Sequence, residues 1–335
     1  MDRTSTKGDE TTETVSRMAP GEVYDMDIDA HQGWAMSEHA PTGGPGQAVD
    51  LLFVHGMAAG GWMWSADWLA SFTDRGYRCW TLTLPGRAGG QTLATNPQAL
   101  DRALAIAFHQ NDPEAALNAL AKALPGASAF DGPGIAEFTD ALAQALTRIG
   151  RPAVPICHSL GGAVAQNLMR RGQSPAGTVL LCSTPPYGFW RSSVEMAFTN
   201  PDLWMALFDF SLFGQRGTDM NIMRRNLFPG GVGNGDYAEM VANMRDESFK
   251  ALIQANGFPP FAPLPGPRGD VLVIGGTEDR FVPWLDIMLT GTYYGTLPVI
   301  VQGGGHMLMS EPVWPSAAEA ILSWLPGLAG TRAAA

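Results

Sequence analysis

The sequence predicts an α/β fold in which a mostly parallel β-sheet carries helices on both faces. Short apolar runs, each as long as a buried strand, alternate along the chain with longer segments of helical spacing. The chain has 335 residues, of which 45% are hydrophobic and 16% charged, so it can bury a large core. One long segment, 185–267, has no run of buried strands and is rich in aromatic residues and Met. We therefore expect one α/β core that carries a helical insertion.

Eight segments are predicted to form the sheet. The first alternates apolar and polar residues, which favours an antiparallel edge strand, and the second is a weaker strand beside it. The other six are short apolar runs typical of buried strands. In chain order the eight segments are 22–29, 33–37, 49–54, 77–84, 154–157, 178–182, 271–274 and 297–301.

Helices are predicted between most of these strands. Helical spacing covers 64–75, the Ala-rich stretch 91–125, 135–149, 163–171 and 316–324. For the Ala-rich stretch, a second lid and a contact in a homodimer both remain open. The predicted organisation is a disordered tail at 1–20, an α/β core at 21–184 and 268–330, and the helical insertion at 185–267.

Composition excludes several classes of function. The net charge of −11 disfavours nucleic acids and anionic membranes as partners, because both require a basic surface. No apolar run approaches the roughly 20 residues of a membrane helix, and the first twenty residues lack the apolar stretch of a signal peptide. Cys79, Cys157 and Cys182 show no metal-ligand spacing and need not pair. We expect a cytoplasmic protein without a metal site. The sequence contains no phosphate-binding or dinucleotide-binding loop, so we expect no cofactor.

The segment around Ser159 has the pattern of a nucleophile elbow. An apolar run ends at His158-Ser159-Leu160, and a helical segment begins directly afterwards. Gly161 and Gly162 allow the helix to pass close to neighbouring strands. The motif expects Gly two residues before the serine, where this chain has Cys157. An alternative interpretation makes Cys157 the nucleophile, although its position directs its side chain into the fold.

A serine hydroxyl needs a base and an orienting acid to act as a nucleophile. His306 follows a predicted strand directly, at the carboxyl end where sites form in such sheets. Asp279 also follows a strand, and we favour it as the acid over Glu278, which is expected to pair with Arg280. The chain order Ser159, Asp279, His306 is the one expected for an elbow-based triad.

An oxyanion formed by attack of the serine requires N–H donors. Leu160 follows the nucleophile at the positive end of the new helix, and Met57 follows His55-Gly56 at the end of another strand. Their backbone N–H groups are the predicted oxyanion hole. His55 is expected to stabilise this loop by hydrogen bonding. Asp246-Glu247-Ser248 indicates a polar helix start with no catalytic role.

With these motifs, the chain resembles the α/β-hydrolase superfamily over Leu51 to Leu325. The resemblance depends on His55-Gly56, on the elbow from Cys157 to Gly162, on 276–279 and on Gly305-His306. It implies the α/β-hydrolase fold with a helical cap over the serine, formed here by 185–267. It also disfavours the dehalogenase and epoxide-hydrolase branches, which have Asp at the elbow.

The leading hypothesis is a serine hydrolase that cleaves a carboxylic ester, lactone or thioester of a hydrophobic small molecule. Alternatives are a carbon–carbon bond hydrolase, an acyltransferase, and a non-catalytic binding protein with the same fold. Aromatic and Met side chains form adaptable apolar walls. The predicted substrate-binding residues are Gly56, Trp62, Trp64, His158, Tyr187, Trp190, Trp204, Trp284 and Met307.

Overall fold

An eight-stranded sheet organises the protein. The computed structural model describes residues 23–26, 33–87, 132–268 and 270–332. The predicted tail at 1–20 and the Ala-rich stretch at 91–125 lie outside these ranges. The strand order is β1-β2-β4-β3-β5-β6-β7-β8. The strands are β1 (Val23–Met26), β2 (Ala35–His39), β3 (Asp50–Val54), β4 (Cys79–Thr83), β5 (Ala153–His158), β6 (Thr178–Leu181), β7 (Val271–Gly276) and β8 (Val299–Val301).

Strand direction divides the sheet into an antiparallel edge and a parallel centre. β1 pairs with β2 and β2 with β4 in antiparallel fashion. From β4 through β3, β5, β6 and β7 to β8, every pair is parallel. The central strands β3, β5, β6 and β7 are buried along their whole length, which explains why they are continuous apolar runs. The predicted fold class, including the antiparallel first strand, is confirmed.

Helices cover this sheet in two packed groups. One group pairs the helix after β3 with the last helix of the chain, and the other pairs the two helices on either side of β5. The Ser65 side chain caps the helix after β3 by accepting the Trp68 N–H. This helix therefore begins at Ala66, two residues later than predicted. The four helices are α1 (Ala66–Thr73), α2 (Ile135–Ile149), α3 (Leu160–Arg170) and α10 (Trp314–Arg332).

Five helices fill the segment between β6 and β7, and the described part of this segment contains no strand. All five helices contribute apolar or Met side chains to the wall of a cavity above Ser159, at the carboxyl ends of the strands. The helices are α4 (Trp190–Thr199), α5 (Pro201–Phe213), α6 (Met220–Leu227), α7 (Asn234–Asn243) and α8 (Phe249–Ala255). We call the segment 185–267 the insertion.

A buried carboxylate fastens the insertion to the core. Asp286 lies on α9 (Trp284–Tyr294), a helix between β7 and β8 that the sequence analysis did not predict. Its two oxygens accept hydrogen bonds from Arg191 Nε and Nη2, both at 2.7 Å, and the Tyr187 hydroxyl donates to the same carboxylate. Because Asp286 is fully buried, its two partners hold one end of the insertion to α9.

Among the described residues, no helix combines the length and the apolar character that crossing a lipid bilayer requires.

Candidate active site

Ser159 lies at the tip of a sharp turn between β5 and α3. Its backbone angles are φ 50° and ψ −117°, a region that non-glycine residues rarely adopt. The surrounding chain holds this conformation, because the Ser159 N–H donates to Leu181 O at 3.1 Å and the Ser159 carbonyl accepts from Gly162 N at 2.9 Å. Backbone strain of this kind costs about 1–3 kcal/mol and persists only where neighbouring structure enforces it.

Small residues allow the turn to form. A Cβ added to Gly161 would lie 2.5 Å from His55 O, and one added to Gly56 would lie 2.9 Å from Ser159 Cβ. Cys157, at the position where glycine was expected, is fully buried within β5, and burial raises the pKa of its thiol. A buried, protonated thiol is a poor nucleophile, so Ser159 is the better candidate.

Ser159, His306 and Asp279 form a continuous hydrogen-bonded chain. His306 Nε2 lies 3.0 Å from Ser159 Oγ, and His306 Nδ1 lies 2.9 Å from Asp279 Oδ2. Asp279 Oδ1 accepts the N–H groups of Phe281 and Val282 at 2.8 and 2.9 Å. With the carboxylate as acceptor, Nδ1 carries the imidazole proton and Nε2 accepts from the serine hydroxyl. The arrangement can remove the hydroxyl proton as the oxygen attacks an electrophile.

Two aromatic contacts and one hydrogen bond orient His306. The Phe281 ring stacks on the imidazole with centroids 4.7 Å apart, and the His158 ring approaches to 4.9 Å. His158 Nε2–H donates to the backbone carbonyl of His306 at 2.9 Å. Burial lowers the pKa of His158 well below its ordinary value, so the ring is neutral at neutral pH. His158 therefore positions the loop that carries His306.

A second buried carboxylate shapes the same loop. Glu311 accepts the N–H of Gly305 at 2.5 Å and the N–H of Gly230, from the insertion, at 2.8 Å. Burial raises the pKa of Glu311, and the nearby Asp279 charge raises it further. Sequence reasoning missed Glu311, although a single carboxylate in the apolar stretch after His306 was a detectable signal.

The backbone around His55 presents the first of two N–H donors. His55 Nε2 accepts the Leu84 N–H at 2.9 Å, so Nδ1–H donates to the Gly56 carbonyl at 2.7 Å. Since the C=O and N–H of one peptide point in opposite directions, this contact turns the Met57 N–H away from His55.

Leu160 supplies the second candidate donor. It lies in the first turn of α3, where N–H groups lack intrahelical acceptors and the helix dipole is positive. Among the described residues, the N–H groups of Met57 and Leu160 donate no hydrogen bond. Both residues line the cavity into which Ser159 opens, so their N–H groups are available to a developing oxyanion.

The cavity next to Ser159 has a volume of about 190 Å³ and lies between the core and the insertion. None of its described lining residues is Asp, Glu, Lys or Arg. The aromatic side chains are Trp62, Phe189 and Phe281. Seven methionines contribute to the wall: Met57, Met63, Met196, Met223, Met240, Met244 and Met307. Flexible thioether side chains make an apolar surface that adapts to its ligand.

Comparisons with known proteins place the chain in a family. Residues 51–317 match the model of the Alpha/beta hydrolase family. The chain belongs to this family. Membership of a hydrolase family supports a hydrolytic activity. No curated protein matches the sequence significantly.

Solved structures show the same fold as this hydrolase at low sequence identity. One is N-acyl homoserine lactonase AidH complexed with N-butanoyl homoserine (15% identity, 90% of this chain and 95% of that chain, TM-score 0.57). Another is carboxylesterase CesB from Bacillus subtilis (16% identity, 92% and 93% coverage, TM-score 0.57). A third is a malate-bound thermophilic esterase from Thermogutta terrifontis (15% identity, 92% and 99% coverage, TM-score 0.56).

The structure brings some of the residues predicted to bind substrate to the cavity of this hydrolase. Trp62, His158 and Met307 line it. Gly56 is not among the lining residues, but a Cβ added to it would lie 2.9 Å from Ser159 Cβ. Trp64 does not, because its ring is buried against Phe53, 5.1 Å between centroids.

The remaining predicted residues also lie away from the cavity. Tyr187 is held by Asp286 in the anchor of the insertion. Three tryptophans point outward and are partly exposed to solvent: Trp190 (50%), Trp204 (37%) and Trp284 (59%). Aromatic composition alone did not distinguish the inner from the outer face of these helices.

Glu278 pairs with Arg280 at 3.2 Å on the surface, in agreement with its predicted role. Within the described part of the chain, His, Cys, Asp and Glu side chains form no group of three or more that could hold a metal ion.

Proposed function

We propose that the protein is a serine hydrolase that cleaves carboxylic esters of hydrophobic small molecules through an acyl-enzyme on Ser159. The proposal depends chiefly on one observation. Ser159 Oγ lies 3.0 Å from His306 Nε2, and this pair opens into an uncharged cavity of about 190 Å³. Lactones and thioesters offer the same acyl carbon and fall within the proposal.

The reaction proceeds in two halves. Ser159 Oγ attacks the ester carbonyl while its proton moves to His306 Nε2, and the oxyanion accepts the N–H groups of Met57 and Leu160. Asp279 keeps the imidazolium oriented. Collapse of the intermediate expels the alcohol, which takes the proton from His306. Water then attacks the acyl-enzyme with His306 as base, which releases the carboxylic acid and restores the serine hydroxyl.

The cavity wall supports an uncharged, apolar acyl or alcohol group as the bound portion. A charged group would lose its hydration without gaining an oppositely charged partner among the described lining residues. For scale, an apolar protein cavity of about 150 Å³ is large enough to bind benzene. The 190 Å³ cavity therefore suits a phenyl ring or an alkyl chain of similar bulk.

Replacement of Ser159 by Ala tests this proposal with p-nitrophenyl hexanoate as substrate. We expect kcat to fall at least about 10³-fold, because removing the nucleophile of such a triad leaves only the residual catalysis of the oxyanion hole. Cys157→Ala is the matched control, since it removes the thiol of the alternative nucleophile two residues away and should keep most of the activity. A fluorophosphonate probe should label the unaltered protein and fail to label Ser159→Ala. Retained turnover in Ser159→Ala, or an unaltered protein that stays unlabelled, would refute the proposal.

A further inference from the structure

Ala58, directly after the candidate oxyanion donor Met57, has an unusual backbone conformation. Its φ is +57°, in the left-handed region, and its side chain is 1% exposed. A left-handed non-glycine residue needs surrounding contacts that favour this conformation over the alternatives. These contacts come from the insertion.

Both backbone polar groups of Ala58 bind the segment 245–248, which we call the clamp. The Arg245 N–H donates to Ala58 O at 3.0 Å, and the Ala58 N–H donates to Glu247 Oε2 at 3.1 Å. The clamp lies immediately before α8, where Ser248 caps the helix. A loop of the core is thus held at one residue by two hydrogen bonds from the insertion.

A buried ion pair keeps Glu247 in place. Arg87, on the loop after β4, donates through Nη2 to Glu247 Oε1 and through Nη1 to Asp246 O at 2.9 Å. The same Oε1 accepts the Ser248 N–H at 2.8 Å. The Arg87 and Glu247 side chains are 3% and 0% exposed. Three donors therefore converge on one carboxylate, which leaves it little freedom to move.

The orientation of the Met57 N–H is consequently set from two sides. On one side His55 holds the Gly56 carbonyl, and on the other side the clamp holds Ala58. The first contact belongs to the core alone. The second contact exists only while the insertion lies in the position seen here.

We propose that Glu247 is a positioning residue that couples the insertion to the oxyanion hole. The Met57 N–H is correctly aimed only when the insertion is seated and the clamp holds Ala58. Movement of the insertion away from the core releases Ala58 and leaves the hole unformed, so catalysis is confined to the state in which the substrate is enclosed. This inference rests on the proposed function, because it assigns a regulator to the oxyanion hole of that reaction.

Glu247→Gln keeps the shape of the side chain and disturbs the clamp. When the oxygen of the new amide accepts from Arg87 and Ser248, its NH₂ group faces the Ala58 N–H. Two hydrogen-bond donors then oppose each other. We expect kcat on p-nitrophenyl hexanoate to fall about 10- to 100-fold with KM within about twofold, because the lost interaction is made in the transition state.

Asp286→Asn is the matched control. It weakens the ion pair between Asp286 and Arg191, which lies near the start of the insertion, and it leaves the clamp's own hydrogen bonds to Ala58 in place. We expect this variant to lower the midpoint of thermal unfolding while kcat stays within about twofold. A parallel loss of kcat in Asp286→Asn and Glu247→Gln would overturn the clamp, because general loosening of the insertion would then explain both.

A second substitution at Ala58 separates positioning from folding. Glycine adopts positive φ without strain, so Ala58→Gly in the Glu247→Gln background should restore kcat about fivefold. The same substitution in the Asp286→Asn background should restore nothing. Absence of recovery in the Glu247→Gln background would overturn the positioning role.

Hydrogen exchange at the Ala58 amide distinguishes failure of this inference from failure of the proposed function. Exchange should accelerate at least about tenfold in Glu247→Gln and remain unchanged in Asp286→Asn. Unchanged exchange in Glu247→Gln would overturn the clamp whatever the activity. A wild-type protein that a fluorophosphonate probe leaves unlabelled would refute the proposed function, and exchange at Ala58 would still decide whether the clamp exists.

Discussion

Acid should destabilise this protein through His55, which is buried as a neutral ring. Its Nδ1–H donates to Gly56 O and its Nε2 accepts from the Leu84 N–H. A second proton on Nε2 would place two donors against each other. Burial and the Arg87 charge lower the pKa of His55 from 6.5 to about 3.

The size of the effect follows from the difference between the folded and unfolded pKa values. Above pH 6.5 the ring is neutral in both states and contributes no pH dependence. Between pH 6.5 and about 3 the unfolded state binds one proton more, so the free energy of unfolding falls by about 1.4 kcal/mol per pH unit. A change from about pH 7.5 to pH 5 crosses 1.5 units of this window, which corresponds to a loss of about 2 kcal/mol.

Urea unfolding of wild type and His55→Gln at the two pH values measures this loss. Glutamine can donate and accept in the same place without titrating, so the stability difference between the two proteins should change by about 2 kcal/mol. The comparison cancels His158, which acts in the same direction, and Glu311, whose raised pKa acts in the opposite one. His39→Gln is the control, because this partly buried ring on β2 should alter the slope less. A stability difference independent of pH would refute the assignment of a buried neutral His55.

Two further substitutions test the geometry of the site. Asp279→Asn should lower kcat by about 10⁴-fold with the fold intact, because an amide no longer selects the tautomer of His306; the corresponding change in a serine protease has this effect. Ester turnover measures the loss, and circular dichroism checks that the variant is folded. A loss of kcat below about tenfold would contradict the proposed proton relay. Gly161→Ala should destabilise the protein by at least about 2 kcal/mol, because its Cβ would lie 2.5 Å from His55 O and 2.9 Å from Val54 O, both backbone atoms. Gly327→Ala, where a Cβ would meet no atom within 4 Å, is its control in urea unfolding, and equal stability of the two variants would contradict the close approach.

Much of the candidate site could be predicted because its signals are local. The elbow at Ser159 needs a strand, a tight turn and a helix within a few residues, and each leaves its own pattern. His306 and Asp279 each follow an apolar run, and parallel strands bring their carboxyl ends to one edge. The proximity of these three residues therefore follows from the strand pattern together with the topology of the sheet.

The cavity wall was harder to predict, because helices of the insertion have apolar residues on several faces. Trp190 and Trp204 are large apolar residues that face outward. Phe189 and Met196 are also large and apolar, but they line the cavity. Their separation depends on how each helix is rotated against its neighbours, and tertiary packing decides this rotation.

The helix α9 was missed for a related reason. It buries the polar residue Asp286 and exposes the apolar residues Trp284 and Leu285, so its sequence does not show the apolar and polar faces of an ordinary surface helix.

The sequence by itself determined the α/β fold, the order of its strands along the chain, and the identity of the three side chains that meet at the elbow. These features depend on patterns that extend over about ten residues or recur at each strand end. Only the tertiary structure decided that Glu247 and Ala58, 189 residues apart, share a hydrogen bond. In sequence, Asp246-Glu247 resembles many polar pairs that begin a helix and are exposed to solvent. Because Glu247 and Ala58 are both buried between the insertion and the core, their hydrogen bond becomes a contact on which the active site depends.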